Sequence, residues 1–217
     1  MGRGRDNLCT HGRSLLTSTA ITSWYIPKFV PPLDSIRVLN RCQISFMLIC
    51  CHARGGWMHE PRASNDVDFL VSSRQHRKAV KALAKAYPRL QIIEDLRAIR
   101  LYDPAADTHP LIDLWRPFCG ILRIALRHRH AVRLEKQEFT MPTVELDMAL
   151  CCARFFDLPW SDPEKYQVTH DIMLLMKVNH GLNLDKLTAL GDHVRKDGGK
   201  WIANKVRAIQ QGKMVRW

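Results

Sequence analysis

Residues 45–71, SFMLICCHARGGWMHEPRASNDVDFLV, constrain the chain most. The stretch opens on a short apolar run, Phe46 to Ile49, and closes on Asp66-Val67-Asp68-Phe69-Leu70-Val71. Both ends are too short for stable helices and are bounded by turn residues, so both read as strands around a loop rich in Gly, Arg and His. Residues two apart on a strand share a face. Asp66 and Asp68 therefore stand side by side, and Val67 and Phe69 turn into the core. Two neighbouring carboxylates repel and are costly to bury together. A hard divalent cation offsets that cost and prefers oxygen ligands. A third acid, Asp113, interrupts the apolar run Leu111–Trp115 in the same way. Three strand-borne carboxylates suit a two-metal site for phosphoryl transfer.

The rest of the chain supplies a mixed α/β setting. Pro31-Pro32 marks a boundary, and Asp34 is placed to cap a short helix over Ser35–Asn40. Ser73–Tyr87 has helical spacing at Ala79, Val80, Leu83, Ala84 and Tyr87, with Arg74, Arg77, Lys78, Lys81 and Lys85 toward water. Ser72 or Ser73 is the expected cap. Leu90–Ile93 and Ile99–Tyr102 read as strands, and the turn residues 103–107 lead into the strand that carries Asp113. Gly120–Arg127 reads as a short helix and Val132–Phe139 as one strand. Arg127-His128-Arg129-His130 reads first as a solvated turn, next as a phosphate-facing rim, and only weakly as a metal site. Four helices follow, Val144–Phe156, Pro163–Val178, Leu184–Leu190 and Lys200–Gln211, punctuated by glycines. The expected division is a basic tail over 1–30, a catalytic core over 31–141 and a helical region over 142–217.

Composition narrows the partners. The 217 residues carry a net charge of +12, which favours an anionic partner, whether nucleic acid, nucleotide or an acidic surface, without choosing among them. No helix-turn-helix, zinc-finger or RNP signature is present, which disfavours a dedicated nucleic-acid reader. Seven cysteines, two pairs of them adjacent and none spaced as Cys-x-x-Cys, read as reduced thiols rather than a zinc site. No apolar run approaches the ~18 residues of a membrane span. The expected protein is soluble and cytoplasmic.

Ala53, Arg62, Ser64, Asp66 and Asp68, with Asp113 as third carboxylate, resemble the motifs of the polymerase-β-like nucleotidyltransferases, in particular the AbiEii/MenT-type group, over residues 32–212. That group shows a strand, Gly-Gly-x-Ala, a loop ending in Arg-x-Ser/Thr-x, and Asp-hydrophobic-Asp. Cys50-Cys51 stands where the group has Gly-Gly. The resemblance implies Asp66, Asp68 and Asp113 as catalytic metal ligands for Mg2+ or Mn2+, and an NTP as substrate. It implies nucleotide contacts from Cys50, Cys51, Arg62 and Ser64. Arg154 and Asp171 match the group's helix-borne Lys and Asp beside the nucleotide, and Val168 replaces a second Asp. The implied acceptor is RNA, including tRNA, or protein, and some members are toxins paired with an antitoxin protein. The alternative is a catalytically weakened relative that binds nucleotide or RNA without turnover.

Overall fold

The computed structural model describes residues 29–59, 63–105, 109–157 and 162–213. The expected basic tail lies almost wholly outside the described residues, and so does Arg62.

The described chain begins with helix α1 (Pro32–Arg41), strand β1 (Phe46–Ile49), a short helix α2 (Cys50–Arg54) and one 3-10 turn, Gly55–Trp57. Strand β2 (Val67–Val71), helix α3 (His76–Ala86), β3 (Gln91–Glu94), β4 (Ala98–Tyr102) and β5 (Pro110–Trp115) complete a five-stranded sheet. Its order is β1-β2-β5-β4-β3. The β2–β5 pair is parallel and the other pairs are antiparallel, so the sheet is mixed, as expected. Next come helix α4 (Gly120–Ala125), the hairpin β6 (Arg129–Leu134) and β7 (Gln137–Pro142), and helices α5 (Val144–Asp157), α6 (Asp162–Val178), α7 (Leu184–Asp192) and α8 (Gly198–Gln210).

The sheet separates two apolar clusters, and strand periodicity decides which residue joins which. Met47, Ile49 and Leu70 pack with residues of α4 to α8, including Leu146, Ile172, Leu187 and Ile202. Phe46, Leu48, Val67, Phe69 and Val71 pack on the other face with Leu33 and Ile36 of α1 and Ala79 and Leu83 of α3. Phe46 and Phe69 meet edge to face, 5.3 Å between centroids.

Several local expectations are corrected. Pro32, pre-set for the first helical turn, starts α1 three residues before Ser35, and Asp34 bonds Arg37 instead of capping. Neither Ser72 nor Ser73 caps α3, which begins after Gln75. The Gln75 side chain accepts from the Ser45 N–H at 2.8 Å and ties the helix start to the segment before β1. The loop after β1 is helical where only a loop was expected. The single strand expected over Val132–Phe139 is a hairpin. Glu135 and Lys136 turn the chain at φ 46° and 64°, as a two-residue turn of the type I′ class requires, although neither is Gly or Asn. The late glycines do more than punctuate. A Cβ on Gly199 would sit 2.0 Å from the Thr188 carbonyl oxygen, so α7 and α8 cross backbone to backbone. Among the described residues no cysteine forms a disulfide, and no helix is long and apolar enough to cross a membrane.

Candidate metal and nucleotide site

Strand register builds the site. Asp68 lies opposite Ile49 of β1 on one side and Asp113 of β5 on the other. Arg100 of β4 lies opposite Asp113. Residues directly opposite share a face, so the row Ile49–Asp68–Asp113–Arg100 runs across four strands on the α5-to-α8 side. Asp66 sits in the bend just before β2, not on the strand as expected, yet its carboxylate still joins the others. One carboxylate oxygen each from Asp66, Asp68 and Asp113 lie within 4.8 Å of one another.

The electrostatics of this cluster favour a cation. Asp68 is pushed up to about 6, first by burial and then by the Asp66 charge; hydrogen bonds from the Trp115 indole and the Cys50 thiol oppose the rise. Trp115 Nε1 donates to Asp68 Oδ1 at 2.7 Å. Asp113 is pushed up to about 7 by burial and by Asp68, against the pull of Arg100. Arg100 Nε stands 3.5 Å from Asp113 Oδ2, and Asp113 Oδ1 is buried with no hydrogen-bond partner. A buried unpartnered oxygen calls for an explanation such as an ion. The donor set is all carboxylate oxygen, which fits Mg2+ or Mn2+.

A cavity of about 340 Å3 adjoins the carboxylates. It is lined by Cys50, Cys51, Ser64 and Arg154 among the expected residues, and by Arg54, Arg97, Trp115, Phe118 and Asp147 among others. Ser64 Oγ donates to Asp66 Oδ1, so its hydroxyl orients a carboxylate. The Arg154 charge also acts on Asp68 and favours its ionised form. Asp171 is not a lining residue. It is buried behind the wall, where its two oxygens accept from Arg54 Nη1 at 2.6 Å and Gln167 Nε2 at 3.0 Å. Val168 is core, at 2% exposure.

Cys50 opens α2 at φ 58°, in the left-handed region that favours glycine. Its thiol is held well above its ordinary value, first by desolvation and then by the Asp68 charge, so it is protonated and can donate to Asp68. Cys51 follows inside the helix and is buried. The two cysteines are therefore unequal: of the pair, only Cys50 holds a left-handed backbone.

Three contributors escaped the sequence reading. Arg54, 3% exposed, bonds Asp147 Oδ2 at 3.0 Å as well as Asp171, and so ties α2 to α5 and α6. Nothing in its spacing marks it. Arg100 had a signal, a lone charge inside the apolar strand Ala98–Tyr102. Trp115 lay in the run that pointed to Asp113, and its indole N–H was the overlooked donor.

No protein-family profile matches this chain, and no curated protein sequence does. Solved structures do match in fold. An antigenic nucleotidyltransferase-like protein from Paracoccidioides brasiliensis superimposes with a TM-score of 0.50 at 14% identity, over 85% of this chain and 93% of that one. The antibiotic-resistance factor ANT(2'')-Ia matches in its solution structure with a TM-score of 0.52 at 10% identity, over 83% and 94%. Its crystal structure in complex with adenylyl-2''-tobramycin matches with a TM-score of 0.50 at 10% identity, over 82% and 96%. The chain thus has a nucleotidyltransferase-like fold, with Asp68 and Asp113 on adjacent strands of the sheet and Asp66 in the bend before the first of them.

Proposed function

We propose that this protein is a metal-dependent nucleotidyltransferase that moves a nucleoside monophosphate from an NTP to an acceptor. The convergence of Asp66, Asp68 and Asp113 beside a cavity carries the reading. Those three side chains would hold Mg2+ or Mn2+, which when bound offsets triphosphate charge and lowers the acceptor's pKa. Arg154, which lines the cavity, would neutralise phosphate charge. Arg62 takes the same role in this reading, although it lies outside the described residues. Ser64 holds Asp66 in place. Trp115 and Cys50 keep Asp68 ionised by donating to it. Asp171 acts through Arg54, which fixes the helix that begins at Cys50.

RNA, including tRNA, is the acceptor we favour, because the net charge of +12 suits a polyanion. Membership of the AbiEii/MenT-type group, a toxin role with an antitoxin partner, a cytoplasmic location and the division into a core over 31–141 and a helical part over 142–217 belong to the same reading. The complex of ANT(2'')-Ia with adenylyl-2''-tobramycin makes tobramycin an additional acceptor to include.

A second reading is a weakened homologue that binds nucleotide or RNA without turnover, and the non-glycine residue at φ 58° favours it. The test is incubation with each labelled NTP, Mg2+, total RNA, total protein and tobramycin. Label on an acceptor, lost in Asp68→Ala, supports transfer. NTP or RNA binding with no label on any acceptor supports the second reading, and absence of label and of binding to either overturns both.

A further inference from the structure

The outward face of α3 is a second charged feature, remote from the carboxylates. Between Ser72 and Ile93 the chain carries Arg74, Arg77, Lys78, Lys81, Lys85 and Arg89 and no acid. All six are exposed. None of them makes an ion pair among the described residues, whereas Arg37, Arg54, Arg100 and Arg116 each engage a carboxylate. Two acids whose charges reach this helix and its end, Asp34 of α1 and Glu94 of β3, are engaged by Arg37 and Arg116. Like charges spaced i,i+4, as Arg77, Lys81 and Lys85 are, destabilise a helix. The row therefore persists against its own repulsion, with no ion-pair partner among the described residues.

The helix beneath is firmly set. Ala79 and Leu83 are fully buried against the sheet, and the buried His76 ring bonds the Leu114 carbonyl oxygen of β5 at 3.0 Å through Nε2. The cations are thus presented in a fixed outward array. From Arg77 to Lys85 the array spans roughly 12 Å along the axis at ~1.5 Å per residue, enough to meet several phosphates at about 3.4 Å of rise each along one nucleic-acid strand. No aromatic ring is exposed on α3. Tyr87, just beyond it, is half-buried, and its hydroxyl lies 3.2 Å from the Ser35 hydroxyl. Stacking platforms for bases are missing from this face, so contact would be to the backbone and independent of base sequence.

We propose that the α3 face is a docking surface for a nucleic-acid phosphodiester backbone, distinct from the carboxylate cavity. Its position enforces the distinction. Val67, Phe69 and Val71 turn toward α3 while Asp68 turns away, so the sheet lies between the two sites. A strand held on α3 does not compete with NTP in the cavity. The surface binds whether or not the cavity catalyses transfer.

The test uses the full chain and a labelled 20-nucleotide RNA of mixed sequence, read by fluorescence anisotropy. About four phosphate contacts predict a slope near −3 in a log–log plot of affinity against salt, or roughly a 50-fold loss between 50 and 200 mM. Lys78→Glu, Lys81→Glu, Lys85→Glu together should abolish binding and leave NTP affinity unchanged. If that variant fails to fold, the matching Lys→Gln triple, with a slope shallower by about 2, serves instead. Equal RNA affinity in wild type and folded variant overturns the proposal. So does loss of RNA binding in Asp68→Ala, or on saturation with NTP, because the RNA would then occupy the cavity. Binding to anionic phospholipid vesicles but not to RNA overturns it in favour of a membrane surface.

Discussion

At the scale of single residues, the site is a balance of repulsion. Asp68 and Asp113 titrate near 6 and 7 in the fold, well above the ~3.9 of an unfolded aspartate. A raised carboxylate binds its proton more tightly in the folded state. Its stability contribution is present at low pH and is lost as the pH rises from about 4 through 7. A divalent cation binds the deprotonated cluster and only the folded chain, so its stabilisation grows over the same interval. We expect Mg2+ to raise Tm clearly at pH 8 and hardly at all at pH 5, measured by thermal denaturation. Asp113→Asn should remove most of that difference. Cys50 gives a second prediction. A non-glycine residue at φ 58° costs about 1–2 kcal/mol. Cys50→Gly relieves that strain and removes a side chain from the cavity lining, so NTP affinity should rise. Cys51→Gly, inside α2 and buried, should only lower stability. Isothermal titration and thermal melts of the two single variants separate these effects; weaker NTP binding by Cys50→Gly would count against a phosphate role for that turn.

At the scale of elements, Arg54 is the fastening of α2. Replacing it leaves Asp147 and Asp171 buried without their shared cation, a loss of about 3–5 kcal/mol for a broken buried pair. Arg54→Met should therefore melt much earlier at pH 8. At pH 5 the deficit should shrink, because the two orphaned carboxylates can protonate. Chemical denaturation at the two pH values checks it. The β6–β7 turn offers the opposite kind of change. Lys136 holds φ 64° without the freedom of glycine, and Lys136→Gly should stabilise the fold by roughly 1 kcal/mol while keeping the Arg37–Glu135 pair. The same elements show what the sequence could reveal. Period-two alternation placed β1, β2 and β5 within a residue or two, and with them the three carboxylates, because strand alternation is local. It merged β6 with β7 because Glu135-Lys136 lacks turn chemistry. It missed Arg54, whose partners lie 93 and 117 residues away and obey no local spacing.

At the scale of the whole molecule, the sheet divides labour between its faces. One carries acid, cavity and the late helices; the other carries α1, α3 and a row of exposed cations. Net charge favoured an anionic partner without choosing one, but only the fold shows that the basic face and the acidic site are on different sides. The register of β2 with β5 has a further, kinetic consequence. Asp68 and Asp113 are 45 positions apart in sequence, with α3, β3 and β4 lying between β2 and β5 along the chain. The contact that closes the sheet is therefore non-local, hence intrinsically slow. It also drives two carboxylates together at the moment it forms. Sheet closure and site formation become one event, opposed by charge. At pH 8 we expect Mg2+ to speed refolding as well as to retard unfolding, visible as a displaced folding arm in a denaturant-jump experiment. Asp113→Asn should fold faster than the wild type in metal-free buffer, and lose that sensitivity to the cation.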